Sequence, residues 1–243
     1  MKQLSMLLGL WLMTLTAVGQ NKPFRGHWYA GADAGIFSNK TRMIVGELSK
    51  YAAAGSGVMP LYGFKVGRIV NPYLSVETGV YSQPLNLVYQ YEMNTAMGAV
   101  PLRFIMFPLR ANWRIQVLSD QLDAQIGVGL QYVLIQNQPN NQFFNGSIIT
   151  RAHTRNDSLV YYGNVEVLRR QSINAEVSLG INWALSRRWT LNFYGRQVLG
   201  LANVAGVEVN IRQNQEPTQK AEFVSRGSGF NLGFGLRYHF RGK

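Results

Sequence analysis

The 243-residue chain has no cysteine. That excludes a disulfide framework and any zinc site built on thiolates. Acidic residues are scarce, 12 Asp and Glu against 24 Lys and Arg, which sets a formal net charge of +12. Beyond the first twenty residues, no segment approaches the ~20 apolar residues that a membrane-crossing helix needs. Long Glu/Lys/Leu/Ala patterns of helical period are also missing. Histidine occurs only three times, at His27, His153 and His239. What the chain has in quantity is glycine (25 residues) and aromatics (12 Tyr, 12 Phe, 5 Trp), a composition that favours strands with aromatic belts over helices.

The N-terminus has the layout of a secretory signal peptide. Lys2 precedes the apolar run Leu7-Leu8-Gly9-Leu10-Trp11-Leu12-Met13, and the small-residue pattern Ala17-Val18-Gly19 follows before Gln20. The run is too short for a membrane anchor and no stop-transfer pattern follows it. A leader over 1–19 is expected, with a single exported domain over 20–243.

The most informative stretch lies near the other end. Phe230, Leu232, Phe234, Leu236, Tyr238 and Phe240 fall on one face of an extended strand, opposite Asn231, Gly233, Gly235, Arg237 and His239. Six unbroken large apolar positions on one face suit a strand with lipid on one side and a polar interior on the other. Tyr238 and Phe240 suit the interfacial girdle.

The same period of two predicts eight strands, over about 26–37, 59–69, 73–83, 98–108, 121–134, 171–185, 189–198 and 230–240. The connectors alternate. Long ones run at about 38–58, 84–97, 135–170 and 199–228, and shorter ones at about 70–72, 109–120 and 186–188, which is the alternation of outer loops and periplasmic turns in a transmembrane barrel. The predicted fold is all-β, an antiparallel up-and-down transmembrane β-barrel, most simply of eight strands. Strand-like pieces at Ile148 to Thr154, Leu159 to Val167, Val207 to Ile211 and Ala221 to Val224 either project beyond the membrane or raise the count to ten.

On their polar faces the eight strands carry Asp33, Lys65, Glu77, Arg103, Asp123, Glu176, Arg196 and Arg237. An eight-stranded barrel is only wide enough for side chains to fill it, so these are expected to pair into a neutral network that plugs a polar lumen. An ion or proton pathway is the other reading of the same residues. The excess charge falls on a basic periplasmic rim, with Arg25, Arg68, Arg110, Arg114, Arg187 and Arg188 as its core. Basic residues at strand ends face anionic lipid head groups, or alternatively an acidic periplasmic partner. No contiguous basic groove of the kind nucleic acid requires is present.

The catalytic inventory is poor. His27 and His239 sit on inward positions of neighbouring strands, without a third ligand or a nucleophile. His153 has Ser147, Asp157 and Ser158 nearby in sequence, a set that a polar loop supplies by chance. The glycines of Gly127-Val128-Gly129 and Gly233-Phe234-Gly235 alternate on strand faces and make no phosphate loop. No catalytic residue, cofactor or metal is assigned, and an enzyme is not expected. No further module is expected after Phe240.

Tyr73-Leu74-Ser75-Val76-Glu77-Thr78-Gly79, Val100-Pro101-Leu102-Arg103, Gly233-Phe234-Gly235-Leu236-Arg237-Tyr238-His239-Phe240 and the leader ending at Gly19-Gln20 together resemble the small outer-membrane β-barrels of Bacteroidota, the OmpA/OmpX-like and PorT-like porin family. The resemblance covers nearly all of 20–243. The chain departs from the usual terminal aromatic, because Arg241-Gly242-Lys243 follows Phe240. The resemblance implies an integral protein of the cell outer membrane in contact with its lipids. It also implies a structural or interaction role, and an accessory part with protein partners in secretion or surface assembly. A passive small-solute porin and an outer-membrane lipid-modifying or proteolytic enzyme are the alternatives.

Overall fold

The computed structural model describes residues 28–46, 52–54, 56–91, 95–119, 121–136, 142–152, 155–213 and 217–240. The expected leader, Arg25, His27, Asn140, Asn141 and His153 lie outside the described residues. The strands are β1 (Trp28–Gly46), β2 (Ala52–Ala54), β3 (Ser56–Asn71), β4 (Leu74–Tyr91), β5 (Thr95–Ser119), β6 (Leu122–Ile135), β7 (Gln142–Ala152), β8 (Arg155–Val167), β9 (Gln171–Ala184), β10 (Trp189–Gly200), β11 (Ala205–Gln213) and β12 (Gln219–His239).

Eight of them close a ring, β1-β3-β4-β5-β6-β9-β10-β12, and β12 pairs back on β1 from Tyr29↔His239 to Gly46↔Ala221. Every pairing is antiparallel. The fold is therefore a closed eight-stranded antiparallel barrel. Closure removes the free edges that lipid would leave without hydrogen-bond partners.

β11, β8 and β7 do not enter the ring. They extend from the upper half of β12 as a sheet that rises past the loop end of the barrel. Of the strand-like pieces, Ile148 to Ala152 and Leu159 to Val167 belong to the hairpin of β7 and β8, and Val207 to Ile211 lies within β11. Arg155-Asn156-Asp157, which the sequence suggests as the hairpin's turn, instead open β8 and pair with Ala152, Arg151 and Thr150. These strands project from the barrel and leave the ring at eight.

The expected connector at 109–120 is not a connector. β5 runs straight through it to Ser119, pairing Arg110 with Gly129 and Arg114 with Gln125 on β6. Alternation continues through Trp113 and Ile115, so nothing there breaks the strand.

The outside of the ring is apolar. Phe64, Leu109, Leu130, Leu179, Phe193, Leu232 and Phe234 are all half or more exposed on it. From Phe240 up to Phe230 the rise is about 25 Å at ~3.3 Å per residue and a tilt near 40°, the height of a bilayer's apolar band. Trp28, Trp113, Trp183 and Trp189 are exposed together near the termini end, where Trp189 packs edge-on to Tyr238 at 5.0 Å and Tyr238 to Phe240 at 5.3 Å. This is an aromatic girdle around one rim.

Candidate functional site: the buried charge tier and what lies above it

Period two sends every second side chain of the ring inward, and in the half nearer the termini these are charged. Asp33 on β1 is 3% exposed and lies between two cations, Lys65 Nζ at 2.6 Å and Arg196 Nη2 at 2.9 Å. Tyr81 Oη donates to the same carboxylate at 2.7 Å. Glu77 accepts from Tyr29 Oη at 3.0 Å, from Arg110 Nη1 at 3.4 Å and from Arg237 Nη2 at 3.5 Å. Arg110 also grips Glu176 through Nε, with Nη2 at 3.3 Å from the second oxygen, and Gln131 donates to Glu176 as well.

Amides and rings complete the tier. Arg237 Nη1 donates to Asn182 Oδ1 at 3.0 Å and to Gln125 Oε1 at 3.3 Å, while Nη2 reaches Asn192 Oδ1 at 3.3 Å. The Arg196 guanidinium lies 3.5 Å from the centre of the Tyr194 ring, and that of Arg110 lies 4.9 Å from the Tyr81 ring. Stacking of this kind lets a guanidinium shed water without losing all its partners. Gly67 and Gly63 make room: a Cβ at either would collide with the rings of Tyr29 and Tyr81.

The expected eight do not all meet. Asp33, Lys65, Glu77, Glu176, Arg196 and Arg237 come together. Asp123 lies lower, partly exposed, and pairs with Arg114. Arg103 is exposed on the outside of β5, and Arg110 takes its place inside. The physical reason is a parity error. Leu102, Phe104 and Met106 point inward at 0–2% exposure, although a polar interior would have turned them to lipid. The tier is also not neutral. Lys65, Arg110, Arg196 and Arg237 face Asp33, Glu77 and Glu176, so one positive charge is left over among the described buried residues.

Those inward apolar residues belong to a second tier. Phe37, Leu61, Leu85, Leu102, Phe104, Met106, Val133 and Val198 fill the half of the barrel nearer the loops, and the cluster continues through Phe223 at the top of β12 into Val165, Val207 and Val209 of the projecting sheet. The interior is polar below and apolar above.

The expected basic rim is redistributed. Arg68 is exposed with its guanidinium 5.7 Å from the Trp28 ring, and Arg188 donates to Tyr238 Oη at 3.1 Å. Arg187 is exposed beside it. Arg114 is held by Asp123, and Arg110 is not on the rim at all. His239 lies against Thr190 Oγ1 at 3.0 Å and 5.6 Å from the Tyr29 ring. Among the described residues no cluster of three or more His, Asp and Glu could hold a metal ion. Sequence reasoning missed Arg110; Tyr194, Gln125, Asn182 and Asn192 fall on the polar strand faces by the same period of two, but carry no charge to single them out as part of the network. Inward parity marks Arg110 once β5 is known to be continuous.

No family model matches the sequence, and no curated protein does. Among solved structures, the outer membrane protein OprG of Pseudomonas aeruginosa superimposes with a TM-score of 0.54 at 11% identity, over 90% of this chain and 97% of that one. The N-terminal β-barrel domain of OprF from the same organism scores 0.42 at 11% identity, over 89% and 100% of the two chains. Outer membrane protein W of E. coli scores 0.42 at 15% identity, over 90% and 100%. The likeness to OprG is one of fold: this chain is built as a small outer-membrane barrel is built.

Proposed function

We propose that the protein is an integral outer-membrane barrel with a closed interior, which acts as a structural and interaction protein and not as a channel or an enzyme. The observation that carries this reading is the double filling of the ring. Seven charged side chains are held within the lower tier by one another and by amides and tyrosines, and an apolar tier sits directly above. An ion entering from either end would have to break buried ion pairs and also cross a layer of mainly apolar side chains that does not replace its water.

With the apolar band in the bilayer, the termini end faces the periplasm and the projecting sheet faces outward. Arg68, Arg187 and Arg188 then lie at the inner head-group level, where anionic lipid is their natural partner. The resemblance to PorT-like barrels supports an accessory place in a secretion or surface-assembly complex, with β7, β8 and β11 as the part presented outside.

Two measurements test this. The purified protein in planar bilayers is expected to show no steady conductance, and sustained opening would support the porin reading instead. Gentle detergent extraction from the native membrane is expected to return a large assembly. A lone barrel would remove the accessory role and leave a stand-alone surface protein.

A further inference from the structure

The barrel is closed, but the backbone ladder between β3 and β4 is interrupted. β3 and β4 pair rung by rung from Ile69↔Ser75 up to Tyr62↔Ser82, and the next pairing on that side of β4 is with β2, at Ala54↔Tyr89. Between them, Ser56–Leu61 and Gln83–Val88 face each other with no rung among the described residues. Continuing the count sets Leu61 opposite Gln83 and Pro60 opposite Pro84.

The prolines explain the opening. Tyr73 O accepts from Arg114 N at 2.7 Å, and the β4–β5 register does not shift until Asn86, so odd-numbered residues of β4 aim their backbone at β5. Even-numbered ones, Pro84 included, aim at β3, and their opposite numbers aim back. Pro60 and Pro84 therefore meet where two backbone hydrogen bonds belong, and neither has an N–H to give. Their carbonyls remain as acceptors facing the gap.

What borders the gap points to a ligand. Behind it lie Leu61 and Leu85, buried in the apolar tier with Phe37 and Leu102. Gln83, 1% exposed, also points inward there, and neither its Oε1 nor its Nε2 has a hydrogen-bond partner. An unpaired amide in an apolar compartment is costly, and so is an open strand edge in hydrocarbon. Outside the gap, Pro60 pairs with Ile36 at the upper margin of the apolar band, and Pro84 pairs with the outward Arg103.

We propose that this break in the ladder parts to form a lateral slot for an acylated lipid of the surrounding leaflet, one with an anionic head and an amide or hydroxyl donor beside it. The head meets Arg103 outside. The donor meets the Pro60 and Pro84 carbonyls and the Gln83 amide, and the hydrocarbon lies along Leu61 and Leu85. The proposal rests on the outer face meeting lipid, as argued above, but it adds a site that a plain barrel does not need.

The test uses an N-acylglycine whose long acyl chain carries a diazirine, presented to the full protein in phosphatidylcholine nanodiscs, with cross-links mapped by mass spectrometry. Labelling of Leu61, Gln83 and Leu85 is expected, and Pro60→Val with Pro84→Val, which restores both N–H groups, is expected to lower it about tenfold. The matching ester, which lacks the N–H, and the neutral methyl ester of the probe are each expected to label less. Arg103→Gln is expected to abolish the preference for the anionic probe. If the double variant fails to fold, as judged by loss of heat-modifiable mobility, the three probes on the unchanged protein decide. Labelling confined to outward residues such as Phe64 and Leu109 would overturn the slot while leaving the membrane barrel intact. Equal interior labelling by all three probes would overturn it too. No labelling at either place would count against the membrane location itself.

Discussion

The two halves of the barrel interior solve the same packing problem with opposite chemistry. Near the termini, seven buried charges depend on one another, so the position of each is fixed by its neighbours. Near the loops, Phe37, Leu85, Leu102 and Phe104 need only shape and volume. The lower half gains a single arrangement at a high cost of error, since a misplaced carboxylate leaves an arginine bare. The upper half gains tolerance, and it lets the interior continue without a break through Phe223 into Val165 of the projecting sheet. The ladder opens beside the tolerant half. Beside the charged half, β1 and β3 pair without a break, and the β4–β5 ladder skips only Gly79 and Val80, opposite Pro108 and Phe107.

The sharpest way to break the comparison is to remove one charge below. Asp33→Asn leaves Lys65 and Arg196 facing each other in a dry interior, and is expected to cost about 3–5 kcal/mol. The readout is the urea midpoint of the folded barrel in detergent. Adding Lys65→Met to the same chain is expected to recover much of the loss, because the tier then keeps one cation fewer to satisfy. A double variant no better than the single would mean that Asp33 acts mainly through Tyr81.

Above, the comparable change is smaller and of another kind. Leu102→Ala removes apolar contact and leaves a cavity, for about 2–4 kcal/mol. Met106→Leu conserves volume and is expected to cost less than ~1.5 kcal/mol by the same urea assay. The matching near-isosteric exchange below, Glu77→Gln, is expected to cost more than Met106→Leu, because Arg110 and Arg237 both lose a charged partner. Equal costs for Glu77→Gln and Met106→Leu would erase the distinction between the tiers.

The contrast also explains what the sequence disclosed. Where the interior is polar, alternation marks inside and outside without ambiguity, and Asp33, Lys65, Glu77, Glu176, Arg196 and Arg237 could be placed inward from spacing alone. The closed ring and the projecting strands were legible for the same reason. Where the interior is apolar, both faces of a strand are hydrophobic and parity loses its marker. Leu102, Phe104 and Met106 then resemble lipid-facing residues, which sends Arg103 to the wrong side. The misplaced turn at 109–120 followed, because once β5 is cut short there, Arg110 looks like a rim residue. Pro60 and Pro84 are visible in the sequence, but that they face each other is a fact of register, and register is set by the whole sheet.

The smallest expected effect lies where neither tier reaches. Glu208 on β11 stands opposite Glu222 on β12, and Lys220 sits at 2.9 Å from the Glu208 carboxylate with both side chains about half exposed. The Lys220 hydrogen bond holds the Glu208 carboxyl below its ordinary value. A lowered pKa in the folded state means that the contribution is present above the ordinary carboxylate pKa and is lost as pH falls through the lowered one. Water and salt screen such a pair, so Lys220→Ala is expected to change stability by less than ~1 kcal/mol. It also leaves two like charges across one rung, and the change should therefore shrink further as salt is added. Carboxyl NMR of Glu208 with and without Lys220 measures the shift directly. A loss well above ~1 kcal/mol, insensitive to salt, would mean that the pair pins β11 onto β12, with Val207 against Phe223, and that the apolar tier depends on its cover as strictly as the charged tier depends on its partners.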